Sequence, residues 1–401
     1  MSDGKALVEM TRRFSPDNVK KSPLSYVLVE GLRQLCQVAA ELEREPAIAV
    51  DLEADSMYHY REKVCLLQIS SASLNVLVDP LALGDLSPLA PIFANRRIRK
   101  VFHGADYDIR SLHRDFGIEV HHLFDTQIAA RFLGVRETGL AKLVEKRLGV
   151  TMEKKYQKRD WSERPLPSGM LHYAIEDVCY LLPLARMLEE DLKAGGRLSW
   201  VQEESELLSR VRVEEPRESL FFLKFKGAGR LDERSLAVLE EILRFRDQLA
   251  MERDLPPFKV LGNESIREIA VQKPLTIDDL KAIANLTPKQ IKTLGTGLLK
   301  CVKEALSVPE QHLPAYPRKR TSHVGVPVKK AVKRLKDWRD KRAEELGLDS
   351  ALLLNKTQIQ SLALARPREP KELAGVQGLR DWQRQAFGLE ICALFRLDKA
   401  D

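Results

Sequence analysis

An α/β domain followed by two all-helical modules is the fold class that this 401-residue sequence predicts. Two observations carry it. In the first half, short apolar runs of strand type alternate with amphipathic helical stretches, the pattern of a sheet with helices packed against it. The second half repeats itself. A shift of 93 residues aligns Arg246-Asp247 with Arg339-Asp340, Leu261 with Leu354, Ile266 with Ile359, Pro274 with Pro367 and Gln290 with Gln383, without a gap. Self-similarity of that length means two copies of one small domain. The boundaries read from this are an N-terminal extension over 1–23, an α/β domain over 24–215, helical domains over 216–310 and 329–401, and a basic, proline-containing linker over 311–328.

In chain order, strands are expected at Ala47–Ala54, Lys63–Ser71, Val76–Val78 and Ile98–Phe102, all built around Val, Ile and Leu. Helices follow Asp106 and Asp125, the latter running from Thr126 to Leu133. A longer one is expected from Ser168 to Asp191, where Leu171, Ile175, Val178, Leu181 and Leu182 form an apolar stripe. In the first helical copy, Leu236 to Arg253 reads as a helix that stops before Pro256-Pro257. Ser265 to Val271 reads as a short amphipathic helix, and Thr276-Ile277-Asp278-Asp279 as a capping box for the next. In the connector, Pro314, Pro317 and Pro327 oppose a helix at its start. Arg318, Lys319, Arg320, Lys329, Lys330, Lys333, Arg334, Lys336 and Arg339 make it a basic strip suited to phosphates.

Four carboxylates in three contexts carry the chemistry: Asp51 and Glu53 in AIAVDLEAD, Asp108 in VFHGADYDIRSL, and Asp177 in LHYAIEDVCYLL. Residues two apart on a strand share a face, so Asp51 and Glu53 project together from an apolar run. An ionised pair there is expensive to bury unless something positive compensates it, and a divalent cation is the simplest such charge. Phosphodiester hydrolysis needs an activated water and a stabilised leaving alkoxide, which two hard cations held by oxygen ligands can serve. Mg²⁺ or Mn²⁺ suits such ligands. On a helix, Tyr173 returns to within roughly 40° of Asp177, whereas His172 is about 140° away, which selects Tyr173 as the partner of that acid.

These segments, with HGADYDIRSLHRDFG, LFDTQIAARFLG, DWSERPLP and YAIEDVCYLL, resemble the DEDD-type 3′→5′ exonucleases, and their order and spacing are closest to the ribonuclease D family. The resemblance spans about Leu24 to Leu192. It implies a ribonuclease-H-like (DnaQ-like) 3′→5′ exonuclease domain with a mixed sheet. It also implies metal-ligand roles for Asp51, Glu53, Asp108 and Asp177, and a water-orienting role for Tyr173. The family spacing puts the third acid five residues after the motif His103, which selects Asp108 and leaves Asp106 as a solvated loop carboxylate. The expected activity is hydrolytic removal of 5′-mononucleotides from RNA 3′ ends with two divalent cations. The expected substrates are tRNA precursors and small structured RNAs. The alternatives are a 3′→5′ DNA exonuclease and a non-catalytic RNA-binding scaffold. The phrase RDQLAMERDLPPFKVLGNESIREIA resembles the HRDC domain, and RDKRAEELGLDSALLLNKTQIQSLA resembles it less closely.

Other residues carry two readings each. Asp125 is either an acceptor behind the metal ligands or the cap of the helix that follows it. Gln68 either faces nucleic acid or marks ordinary strand exposure. Lys154, Lys155, Lys158 and Arg159, interleaved with Tyr156 and Trp161, either neutralise phosphates and stack on bases or form a solvated charge run. Gln68, His103, Lys155, Arg159 and Trp161 are therefore the expected RNA contacts. At 44% hydrophobic residues and +7 formal charge, the chain reads as multidomain with ample core. Its start lacks a signal-peptide core, no run is apolar enough to span a membrane, and five cysteines without C-x-x-C pairs disfavour a disulfide framework or zinc site. A cytoplasmic monomer is the expectation.

Overall fold

The computed structural model describes residues 25–213, 220–317 and 326–396. The N-terminal extension and Arg318 to Arg320 of the connector lie outside them. The chain forms two compact units. Of the described residues, 25–54, 64–213 and 326–396 make the first, and 55–63 and 220–317 the second.

The first unit is built on a six-stranded mixed sheet in the order β1-β4-β3-β2-β5-β6. Its strands are β1 (Val27–Val29), β2 (Ala47–Ala54), β3 (Val64–Ser70), β4 (Asn75–Val78), β5 (Arg99–Phe102) and β6 (Leu123–Asp125). β2 pairs antiparallel with β3 and parallel with β5, so it lies in the middle of the sheet. The four expected strands form where the apolar runs place them. β1 and β6 were not expected, because three residues are too few to show a period.

Alternation along β2 sorts its side chains between two layers. Ile48, Val50 and Leu52 enter one core with Leu67, Ile69, Val76 and Val78. Ala49 lies in the other with Leu66, Leu77 and Val101, under the helices Ser168–Cys179 and Leu181–Ala194. Asp51 and Glu53 face that second layer. The expected single helix over Ser168–Asp191 is thus two, interrupted at Tyr180. Pro183 is the cause: it has no N–H to give the Cys179 carbonyl, and its ring crowds that oxygen.

The second helical copy belongs to this same unit. Trp382 stacks on Trp200 with ring centroids 4.6 Å apart and meets Phe132 edge-on at 5.4 Å. Glu203 accepts hydrogen bonds from the backbone N–H groups of Asp381 and Trp382, both at 2.8 Å, and so caps the Asp381–Arg396 helix from outside. The Trp382 indole N–H donates to Glu204 at 2.9 Å. Gly134 and Gly347 touch: a Cβ on Gly134 would lie 2.4 Å from the Gly347 carbonyl oxygen. The basic residues from Lys329 to Arg339 lie on the helix Val326–Leu346. Pro327 sits in its first turn, where a missing N–H costs nothing.

The second unit packs helices Glu233–Glu252, Asn263–Gln272 and Pro288–Ser307 around Leu236, Leu239, Ile242, Ile266, Ile269 and Leu298. The expected capping box forms between Thr276 and Asp279. Residues 55–63, which follow β2 in sequence, belong here. The Tyr60 hydroxyl donates to Asp247 at 2.9 Å, the Tyr60 N–H to Asp254 at 3.1 Å, and His59 Nδ1 lies 2.7 Å from Asp254. Lys259 stands over the Tyr58 ring, 4.2 Å from its centroid.

Candidate active site

The carboxylates come from three kinds of local structure. Asp51 and Glu53 project from β2, just before the register shift between Glu53 and Ala54. Asp108 lies in the first turn of the Asp106–Phe116 helix, where the helix dipole favours an anion. Asp177 is on the Ser168–Cys179 helix, one turn after Tyr173. Asp51, Glu53, Tyr173 and Asp177 line one cavity of about 380 Å³, together with His103, Gln127, Met152, Lys154 and Gln157. Asp108 is buried beside them; its charge acts on Glu53, and the charge of Asp51 acts on it.

Electrostatics shows how crowded these acids are. Burial pushes Asp51 up to about 6. Burial, then the charges of Asp51, Asp177 and Asp108, holds Glu53 well above the usual carboxylate range. Asp108 is raised by burial and then by Asp51. Asp177 is pushed up to about 8 by burial and by Asp51, against a hydrogen bond from the Tyr173 hydroxyl that lowers it. Tyr173 itself moves upward, through burial and the nearby charges of Asp177 and Glu53. It therefore stays protonated at neutral pH and acts as a donor.

Buried like charges of this kind fit a divalent cation, which would reverse every one of these shifts. Among the described residues no three acidic or imidazole groups form a closed cage around one point. The donor set suits the open coordination of a hard cation, in which one or two carboxylates bind and water and phosphate complete the sphere.

The remaining expected residues divide clearly. Asp125 is fully buried and saturated: its carboxylate accepts from Gln127 and Ile128 N–H at 2.7 and 3.0 Å, and from Gly104 and Ala105 N–H at 3.1 and 2.7 Å. It caps one helix and anchors the loop that starts the Asp108 helix. His103 lines the cavity, with Nδ1 2.9 Å from the Thr126 hydroxyl. Lys155 and Arg159 are exposed. Lys154 joins the cavity wall.

Three expectations are corrected. Gln68 is 0% exposed and cannot touch RNA, because β2 and β4 flank it and the Ser168–Cys179 helix covers its face of the sheet. Trp161 is 1% exposed, packed 6.2 Å from the Tyr173 ring as part of the core, so it cannot stack on a base. Asp106 is not in a loop: it opens a helix and pairs with Arg110 at 2.8 Å. His172 stays on the outer side, 3.8 Å from Glu176.

One group escaped the sequence reading. Arg164, in DWSERPLP, donates to both oxygens of buried Asp79 at 2.6 and 2.8 Å, and to the Cys65 and Trp161 carbonyls, each at 2.8 Å. It pins the segment carrying Tyr156 and Trp161 to the sheet, and both rings pack on Tyr173. Its place within the DWSERPLP segment was the available signal.

Comparison with known proteins agrees with this geometry. Residues 26–193 match the family described as 3′-5′ exonuclease, and residues 235–302 and 328–394 each match the HRDC domain. The ribonuclease D of Nitrobacter hamburgensis is 31% identical over 371 residues, covering 92% of this chain and 94% of that protein. The crystal structure of Escherichia coli RNase D, an exoribonuclease involved in structured RNA processing, superposes with a TM-score of 0.69 at 27% identity. That match covers 93% of this chain and 99% of the other. The catalytic core of RRP6 from Trypanosoma brucei gives a TM-score of 0.61 at 33% identity, over 71% of this chain and 83% of its own. With a 3′-5′ exonuclease domain, two HRDC domains and a relative of this identity and coverage, this protein belongs to the ribonuclease D family and is a 3′→5′ exoribonuclease.

Proposed function

We propose that the chain trims RNA 3′ ends to 5′-mononucleotides at the cavity of Asp51, Glu53, Asp108 and Asp177, acting on tRNA precursors and small structured RNAs as a cytoplasmic monomer. The observation that carries the site assignment is the meeting of Asp51, Glu53, Tyr173 and Asp177 in one cavity, with Asp108 buried against them. The four carboxylates would hold two Mg²⁺ or Mn²⁺ ions. When bound, such ions lower the pKa of water and stabilise the charge developing on the leaving 3′ oxygen.

The residues of the chain supply the rest. Asp51 and Glu53 set the position of the scissile phosphate from a rigid central strand. The Tyr173 hydroxyl, whose proton is donated to Asp177, orients the attacking water by accepting a hydrogen bond from it. It has no role as a base, because its environment raises its pKa further. Lys154, at the cavity wall, and exposed Lys155 and Arg159 neutralise backbone phosphates.

The test is a 5′-labelled RNA with a single-stranded 3′ tail and its DNA twin, incubated with Mg²⁺ or Mn²⁺. Stepwise shortening of the RNA, lost in Asp51→Asn, is the expected result. Faster shortening of the DNA would overturn the substrate class, and full activity of Asp51→Asn would overturn the site.

A further inference from the structure

Gln68 is a buried polar residue whose side-chain amide makes no hydrogen bond among the described residues. It lies in the middle of β3, is 0% exposed, and neither its Nε2 nor its Oε1 has a hydrogen-bond partner among the described residues. A buried amide left this way is costly, and Met or Leu would fill the same space without that cost. Buried polar atoms of this kind call for an explanation beyond packing.

Register supplies one. Gln68 is directly opposite Asp51 on β2 and Leu77 on β4. Cross-strand partners share a face with Cβ atoms about 4.5–5.5 Å apart, so the carboxamide and the Asp51 carboxylate are within each other's reach. The Ser168–Cys179 helix, carrying Tyr173 and Asp177, packs over β2, β3 and β4 and covers Gln68, while Asp51 lines the cavity beside it. A carboxylate has lone pairs to spare after binding a cation, and hydrogen bonds to ligating groups fix their orientation.

We infer that Gln68 is a positioning residue for Asp51: its Nε2–H donates to the carboxylate oxygen turned away from the cation and holds that ligand in its binding orientation. The inference rests on the reading of Asp51 as a cation ligand.

The test compares wild type, Gln68→Met, Asp51→Asn and the double variant, all as full chains. Mn²⁺ affinity is measured by calorimetry, the metal-free melting temperature by circular dichroism, and kcat and KM on a short RNA. Gln68→Met should melt no lower than wild type, since it removes two unpartnered polar atoms. It should bind Mn²⁺ about 10- to 100-fold more weakly, with a matching loss in kcat and KM little changed. In the Asp51→Asn background, Gln68→Met should have no further effect on Mn²⁺.

Mn²⁺ affinity and kcat within twofold of wild type would overturn the inference. So would unfolding of both Gln68→Met and the second variant Gln68→Leu, because it would make the amide a structural requirement. If Asp51→Asn leaves Mn²⁺ binding intact, the reading of Asp51 as a ligand fails instead.

Discussion

Replacing Trp382 with Ala should destabilise the nuclease domain from a position more than 200 residues away from its acids in sequence. Trp382 is 2% exposed, stacked on Trp200 and set edge-on to Phe132, and it donates to Glu204. A Trp side chain buries 150–250 Å², which at about 25 cal/mol/Å² gives roughly 4–6 kcal/mol before relaxation. Large-to-small changes of Trp in cores cost about 3–5 kcal/mol, and that is the expected loss. Trp382→Phe keeps most of the packing and removes one of two donors to Glu204, which keeps Arg380 at 3.2 Å, for an expected cost of about 0.5–1.5 kcal/mol. The assay is urea unfolding followed by fluorescence beside loss of exonuclease activity at each urea concentration. Both curves should move to lower urea together. If the activity curve stays in place while fluorescence shifts, the second helical copy unfolds independently and the packing described above does not stabilise the nuclease.

Further outcomes follow from the site and its supports. Tyr173→Phe should lower kcat about 10- to 100-fold with RNA binding retained, measured by single-turnover kinetics and filter binding; loss of binding instead would mark Tyr173 as a substrate contact. Between the ordinary aspartate value of 3.8 and about 8, the folded metal-free protein holds a proton on Asp177 that the unfolded chain releases. Stability conferred by the protonated group is therefore lost as pH rises through that window. The metal-free melting temperature of wild type should fall relative to Asp177→Asn from about pH 5 to about pH 8, and saturating Mg²⁺ should remove the difference; a constant difference would refute it. Lys100→Met should cost about 1–3 kcal/mol in urea unfolding, because buried Lys100 donates to the Asn95 and Ile98 carbonyls at 2.6 and 2.7 Å.

The site was legible because its chemistry is written in short segments. Asp51 and Glu53 sit on an alternating strand, and the four-residue step from Tyr173 to Asp177 fixes their common helix face. Asp125 resolved in favour of capping because its neighbours in sequence supply two of its donors. What stayed hidden depends on contacts between distant segments. Gln68 and Trp161 carry groups typical of nucleic-acid contacts, and only the helix packed over the sheet shows that both are buried. The docking of the second helical copy uses Phe132, Trp200, Glu203 and Trp382, whose spacing follows no period. Pro183 and Pro327 were visible but act oppositely, one ending a helix and the other beginning one, and position within the turn decides which.

The two helical copies descend from one pattern, yet the chain threads them into different bodies. Residues 326–396 return to the catalytic unit after 220–317 have been assigned elsewhere, so the first copy is an insertion and the second a closing segment. Residue order and structural dependence therefore run in opposite senses. A cut that removes residues progressively from the C-terminal side strips Trp382 and its neighbours from the nuclease first, and reaches the copy that is nearer in sequence only later. Ranking the repeats by distance along the chain would misjudge which of them the nuclease cannot lose.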